Sequence, residues 1–201
     1  MAFITVLAVT TAQAQRVALV IGNSTYQHAD LLTNPSNDSR AVAEALKRLR
    51  FERVMLHENL GAEPMRRKLL EFEQYASAAD IALVCYAGHG IEVDGINYLI
   101  PIDARLARAN AVEVEAVSLG TVTSVVAGAR KLRLVILDSC RNNPFRSRVG
   151  SDASGRKRSV GRACGPACGL AGVGGEPPRA ARVTARRHRA AARAERPRRR
   201  R

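Results

Sequence analysis

Residues 132–140 read LRLVILDSC, an apolar run that drives into Asp138, Ser139 and Cys140 and is followed at once by the polar RNNPF of 141–145. A short, continuous apolar run stopped by polar residues is the pattern of a strand buried on both faces. RVALVIGN (16–23), ERVMLHEN (52–59) and DIALVCYAGHG (80–90) repeat it. Between them, DSRAVAEALKRLRF (38–51) sets Val42, Ala45, Leu46 and Leu49 on one helical face, with acidic groups early and basic groups late, as the helix dipole prefers. EPMRRKLLEFEQYASAA (63–79) gives a second amphipathic helix with Pro64 near its start. In IEVDGINYLIPID (91–103), Asp94-Gly95 between alternating apolar residues predicts a hairpin. VSLGTVTSVVAGARK (117–131) predicts a weaker helix, because Thr, Val and Gly lower helix propensity. The rhythm is βαβ, so the expected fold is α/β: a mostly parallel sheet with helices on both faces. In such sheets functional groups gather at the carboxyl ends of strands, where His89 and Cys140 both fall.

The 201 residues suit one domain plus appendages, and a 46% hydrophobic content is enough for a core. The formal charge of +14 is unevenly spread: residues 1–140 hold 14 Lys and Arg against 15 Asp and Glu, and residues 141–201 hold 18 against 3. The folded part is therefore nearly neutral, and the charge belongs to a tail. MAFITVLAVTTAQAQ opens the chain with an apolar run ending in Ala12-Gln13-Ala14, the small-x-small pattern of a signal peptide over residues 1–14. It is too short for a transmembrane anchor, so a periplasmic or secreted location is expected; a buried N-terminal strand is the alternative. Beyond residue 147 the text becomes Arg, Ala, Gly and Pro, a composition that cannot bury enough apolar surface to fold, and residues 148–201 are read as a disordered tail.

Attack of a thiol on a carbonyl needs a thiolate, a base that also protonates the leaving amine, and donors for the oxyanion. Cys140 at a strand end supplies the nucleophile and its own amide. His89, between Gly88 and Gly90 in AGHG, supplies the base, and Gly90 the second amide. A packed thiol and a satisfied histidine are the plainer reading of the same two residues. Cys85 lies mid-strand and reads as a small apolar residue. Cys164 and Cys168 lie close enough for a local disulfide but lack the second pair of a zinc site. VIGNSTY carries one glycine and fails as a phosphate loop.

The segments RVALVIGNSTY (16–26), LTNPSNDSRAVAEAL (32–46), YAGHG (86–90), GINYLIPID (95–103) and VILDSCRNNPF (135–145) together resemble the caspase-like cysteine peptidases, in particular the bacterial metacaspase or orthocaspase group. The resemblance covers roughly residues 16–147, setting the catalytic domain at 15–147, and implies a three-layer caspase-like fold with a His-Cys dyad on His89 and Cys140. It also implies that Asp38 and Asp138 line an acidic pocket for a substrate Arg or Lys, consistent with bidentate binding of a guanidinium by carboxylates. The alternatives are an N-cap role for Asp38 and a bond to a loop amide for Asp138. The expected partners are protein or peptide substrates with basic P1 residues, and no specific nucleic acid. Some members of the family bind calcium, but the spacing of Asp103, Glu113 and Glu115 is not diagnostic, so no cofactor or metal is assigned.

The chain departs from the family after the nucleophile. The small-subunit half is expected to be missing, the text after about residue 163 is read as that of a frameshifted GC-rich gene, and the sheet is expected to end on an unpaired strand. Arg146, Arg148, Arg156, Lys157 and Arg158 offer sites for self-cleavage. Two rival readings are a truncated, inactive caspase-like scaffold and a module binding nucleic acid or anionic surfaces through the eleven arginines of residues 179–201.

Overall fold

A computed structural model describes residues 14–139 and two short strands further on, at 160–161 and 171–172. The chain runs β1 (Arg16–Gly22), α1 (Pro35–Arg48), β2 (Arg53–Glu58), α2 (Ala62–Ala76), β3 (Ile81–Gly88), β4 (Gly90–Val93) and β5 (Ile96–Leu99). A 3-10 turn at Ala109–Ala111 leads into α3 (Val112–Glu115), β6 (Val117–Ser118), α4 (Leu119–Val126) and β7 (Leu132–Ser139), with β8 (Val160–Gly161) and β9 (Ala171–Gly172) beyond. The main sheet is ordered β2-β1-β3-β7-β9, and its first four strands are parallel. The second sheet, β6-β5-β4-β8, is antiparallel.

Strand alternation explains the layers. Val17, Leu19 and Ile21 of β1, with Val84 and Tyr86 of β3, face Leu69 and Phe72 of α2 and Val122 and Val126 of α4. The intervening Ala18, Val20, Leu83 and Cys85 face Ala43 and Leu46 of α1. Both faces are thus buried, as the unbroken apolar runs require. Burying one such Val, Leu or Ile contributes roughly 1.5–3 kcal/mol, so the two layers fix the register of the sheet.

Helix α1 starts earlier than its periodicity indicates, at Pro35, whose fixed φ suits a first helical position. Its buried face is Pro35, Ser39, Ala43 and Leu46, while Leu49 is 60% exposed. The reason is local: Leu49 is the C-cap, and Arg50 at φ +60° turns the chain off the helix axis. The hairpin at Asp94-Gly95 is present, with both residues at positive φ (+51° and +83°), the geometry of a type I′ turn. The expected helix over 117–131 is shorter, because Val117 and Ser118 pair with Leu99 and Tyr98 and Ser118 then caps α4 by accepting the Thr121 N–H at 3.1 Å.

The expected open edge beyond the 132–140 strand is corrected. β9 pairs antiparallel with β7, Leu134 opposite Gly172 and Val135 opposite Ala171, so the far side of β7 is partly covered. Residues 1–13 of the proposed signal peptide, and most of 148–201, lie outside the described residues. Among the described residues, no helix is long and apolar enough to cross a membrane.

Candidate active site

Parallel pairing of β3 with β7 runs from Ile81 opposite Leu132 to Gly88 opposite Ser139. The last rung places the residue before His89 beside the residue before Cys140, at the carboxyl edge of the sheet. Cys140 itself lies outside the described residues.

His89 is only 2% exposed. Its Nε2 lies 3.1 Å from the Asp30 carbonyl oxygen. A carbonyl can only accept, so Nε2 carries the proton and Nδ1 the lone pair. Burial lowers the imidazole pKa below its ordinary value near 6.5, and the bond to the Asp30 carbonyl and the Asp30 charge oppose that shift. A neutral imidazole with a basic Nδ1 is the form that takes a proton from a thiol.

The loop after β1 builds this environment. Asn23 is buried; its Oδ1 accepts the Leu60 N–H at 2.9 Å, and its amide nitrogen donates to the Leu60 and Ile100 carbonyls at 3.3 Å each. Gln27 N–H donates to the Ile102 carbonyl at 2.8 Å. Between these anchors Tyr26 lays its ring against the His89 imidazole, centroids 4.4 Å apart and tilted by 54°. Its hydroxyl accepts the His89 N–H at 2.7 Å.

Gly90, the expected second oxyanion donor, opens β4 and is buried opposite Leu99. Gly90 and Ser139 line one small cavity of about 10 Å³, with Tyr86, Asn97, Leu99 and Leu137 among its walls. Gly90 and the last described residue of β7 therefore border the same space.

The two carboxylates expected to line a substrate pocket, Asp38 and Asp138, lie toward the same end of the sheet. Asp138 pairs with Ala87 and continues the α1-facing alternation of Leu134 and Ile136; it is exposed. Asp38 lies in the first turn of α1, which packs against the end of β1: a Cβ on Gly22 would stand 2.6 Å from the Pro35 carbonyl oxygen. The N-cap alternative for Asp38 is corrected. Asn34 holds that position, and the Asp38 N–H is already inside the helix, bonded to the Asn34 carbonyl at 2.9 Å.

The carboxylates weighed for calcium are otherwise engaged. Asp103 Oδ1 accepts the Ala62 N–H at 2.8 Å, and Glu115 Oε2 accepts the N–H groups of Arg105 and Leu106 at 2.7 and 2.8 Å. Among the described residues, no group of three or more His, Cys, Asp and Glu side chains is placed to hold a metal ion. Cys85 is a packed thiol: burial, with a smaller contribution from the Asp138 charge, pushes it up to about 11. His28 and His57 stand outside the cluster. His28 accepts from Arg105 Nε at 3.3 Å, and His57 lies on β2, held below its ordinary pKa chiefly by burial. What the sequence reading missed is the pair Tyr26 and Tyr86. Both sit in segments singled out for other reasons, but only the fold brings them together.

A mostly parallel sheet between helical layers, with a neutral histidine where the central strand ends beside the strand leading to a cysteine, is the architecture of an α/β cysteine peptidase. The family model described as Caspase domain matches residues 15–197, and the chain belongs to that family. The match extends past residue 147, where the resemblance in the sequence was drawn. The chain is also 35% identical over 89 residues to human (Homo sapiens) Mucosa-associated lymphoid tissue lymphoma translocation protein 1, a span of 44% of this chain and 11% of that protein. The mouse (Mus musculus) homolog of that protein is 34% identical over 89 residues. The chain thus spans about a tenth of the length of these curated relatives.

Proposed function

We propose that this cysteine peptidase domain is an endopeptidase in which His89 and Cys140 form the catalytic dyad and Asp38 and Asp138 select a basic P1 residue. The observation that carries the reading is the Nε2 bond to the Asp30 carbonyl, which leaves Nδ1 as the basic nitrogen at the strand end that pairs with the approach to Cys140. In this mechanism Nδ1 takes the Cys140 thiol proton, and the thiolate adds to the scissile carbonyl. The amides of Gly90 and Cys140 stabilise the oxyanion. The imidazolium then protonates the leaving amine as the C–N bond breaks, giving a thioester. His89 next deprotonates a water that releases the acid product and restores the thiol.

Selectivity in this scheme is electrostatic. Two exposed carboxylates at one end of the sheet favour a substrate guanidinium or ammonium and disfavour a substrate Asp. Self-cleavage would fall at the basic sites between Arg146 and Arg158, and a signal peptide would send the domain to the periplasm or outside the cell.

The test is hydrolysis of fluorogenic peptides ending in Arg, Lys or Asp by the wild-type chain beside Cys140→Ala and Asp138→Asn. Cleavage after Arg and Lys is expected to vanish in Cys140→Ala. In Asp138→Asn it should fall by about 1–3 kcal/mol in kcat/KM, the worth of a charge-assisted hydrogen bond. Equal cleavage by wild type and Cys140→Ala, or a preference for Asp, would overturn the proposal.

A further inference from the structure

The two hydroxyls at the foot of β3 all address one residue. The His89 N–H donates to Tyr26 Oη at 2.7 Å. Tyr26 Oη lies 3.2 Å from Tyr86 Oη. Tyr86 in turn donates toward the His89 carbonyl at 2.8 Å and the Ile100 carbonyl at 3.0 Å, and the Ile100 N–H donates back to the His89 carbonyl at 3.1 Å. With the single Tyr86 proton given to the carbonyls, the bond between the hydroxyls runs from Tyr26 to Tyr86. The result is a directed chain that leaves the His89 amide and returns to the His89 carbonyl.

Tyr86 is fully buried and Tyr26 nearly so. For packing alone, Phe would fill either place without the cost of desolvating a hydroxyl. Here both hydroxyls are used on the peptide groups flanking one side chain. Gly88 permits it, since a Cβ there would stand 2.6 Å from each hydroxyl.

We infer that Tyr26 and Tyr86 form a hydroxyl clamp that positions His89, fixing its main chain so that the imidazole meets the Asp30 carbonyl through Nε2 and presents Nδ1 toward the end of β7. The clamp rests on the proposed role of His89 as the base. Tyr26 acts twice, through its hydroxyl on the main chain and its ring against the imidazole. Tyr86 ties the same peptide to Ile100, next to the end of β5, so the hairpin and the histidine move as one body. Neither tyrosine contacts substrate in this scheme; both are positioning residues.

The experiment compares Tyr26→Phe and Tyr86→Phe with wild type, using Tyr75→Phe as control, since the Tyr75 ring packs under Arg53 away from the site. Two quantities are read: the His89 imidazole titration by NMR, assigned through its loss in His89→Gln, and kcat separately from KM on an Arg-ending peptide. Without a hydroxyl acceptor, the His89 peptide is expected to admit water. Its imidazole pKa should then rise toward its ordinary value. A misplaced base should lower kcat by about tenfold or more with KM nearly unchanged. Titration and kcat both equal to those of Tyr75→Phe would overturn the clamp. So would loss of fold in both variants with Tyr75→Phe intact, which would make the pair structural only. A wild-type chain that cleaves no peptide would count against the peptidase reading, and the titration would then decide the clamp by itself.

Discussion

Gly88 is a position at which a very small change should do large damage. A methyl group built on its Cα stands 2.6 Å from Tyr26 Oη, 2.6 Å from Tyr86 Oη and 2.9 Å from Tyr86 Cζ. Ordinary contact is near 3.5 Å, so each hydroxyl must retreat by about 1 Å. Neither can do so freely, because Tyr86 is 0% and Tyr26 5% exposed. Retreat breaks the bonds to the His89 N–H, the His89 carbonyl and the Ile100 carbonyl, each worth about 1 kcal/mol net. Gly88→Ala is therefore expected to cost about 3–4 kcal/mol, lowering Tm by roughly 6–16 °C for a chain of this size. Gly95→Ala is the internal comparison. Nothing lies within 4 Å of its would-be Cβ, and only the positive φ of +83° opposes the change. Its cost is about 1–2 kcal/mol, or roughly 2–8 °C. Thermal unfolding followed by circular dichroism measures both variants. Equal losses would refute the reasoning, since they would show that the approach of the two hydroxyls to Gly88 carries no weight.

Acidification should destabilise the fold in a defined window. His57 and His89 both have folded-state pKa values below the ordinary 6.5, each chiefly through burial. The unfolded chain then binds protons more readily, so the stability they contribute is present above about 6.5 and is lost as pH falls through the folded values. Tm should decline between pH 7.5 and 5, and His57→Gln should flatten part of the decline; a Tm that is constant or rises on acidification contradicts the assignment. Asp103 stands in for the missing side-chain cap of α2, whose N-cap is Gly61, by accepting the Ala62 N–H. Asp103→Ala is expected to cost about 1 kcal/mol in urea unfolding, and Glu73→Ala on the exposed face of α2, made as a control, much less.

The layered fold was legible because its strands are apolar on both faces and its helices on one. The hairpin was legible because Asp94-Gly95 is a turn signal that needs no partner. The start of α1 was misplaced: periodicity points to Asp38, while the boundary is set by Pro35 and by packing against Gly22. The exposure of Leu49 follows from the backbone reversal at Arg50, a choice of φ that spacing does not encode. For the site, His89 could be placed by the rule that strand ends carry function. The Asp30 carbonyl could not, since a main-chain oxygen leaves no mark in residue identity. Tyr26 and Tyr86 lie 60 positions apart and meet only because β1 and β3 are sheet neighbours.

The spatial order β2-β1-β3-β7 differs from the order of synthesis in a way that bears on timing. Strands β1, β2 and β3, their two helices and the hairpin are complete by Leu99, with Ile100 and Ile102 directly after, so the histidine's surroundings can form while the rest of the chain is still being made. The ladder that sets Ser139 beside Gly88 must wait for the segment 100–131 and then close over a long sequence separation, which is the slow kind of pairing. A nascent chain therefore carries His89 well before the strand that leads to Cys140 has docked. Of the three parallel ladders in the main sheet, β3–β7 is thus the last whose two strands are both available during synthesis.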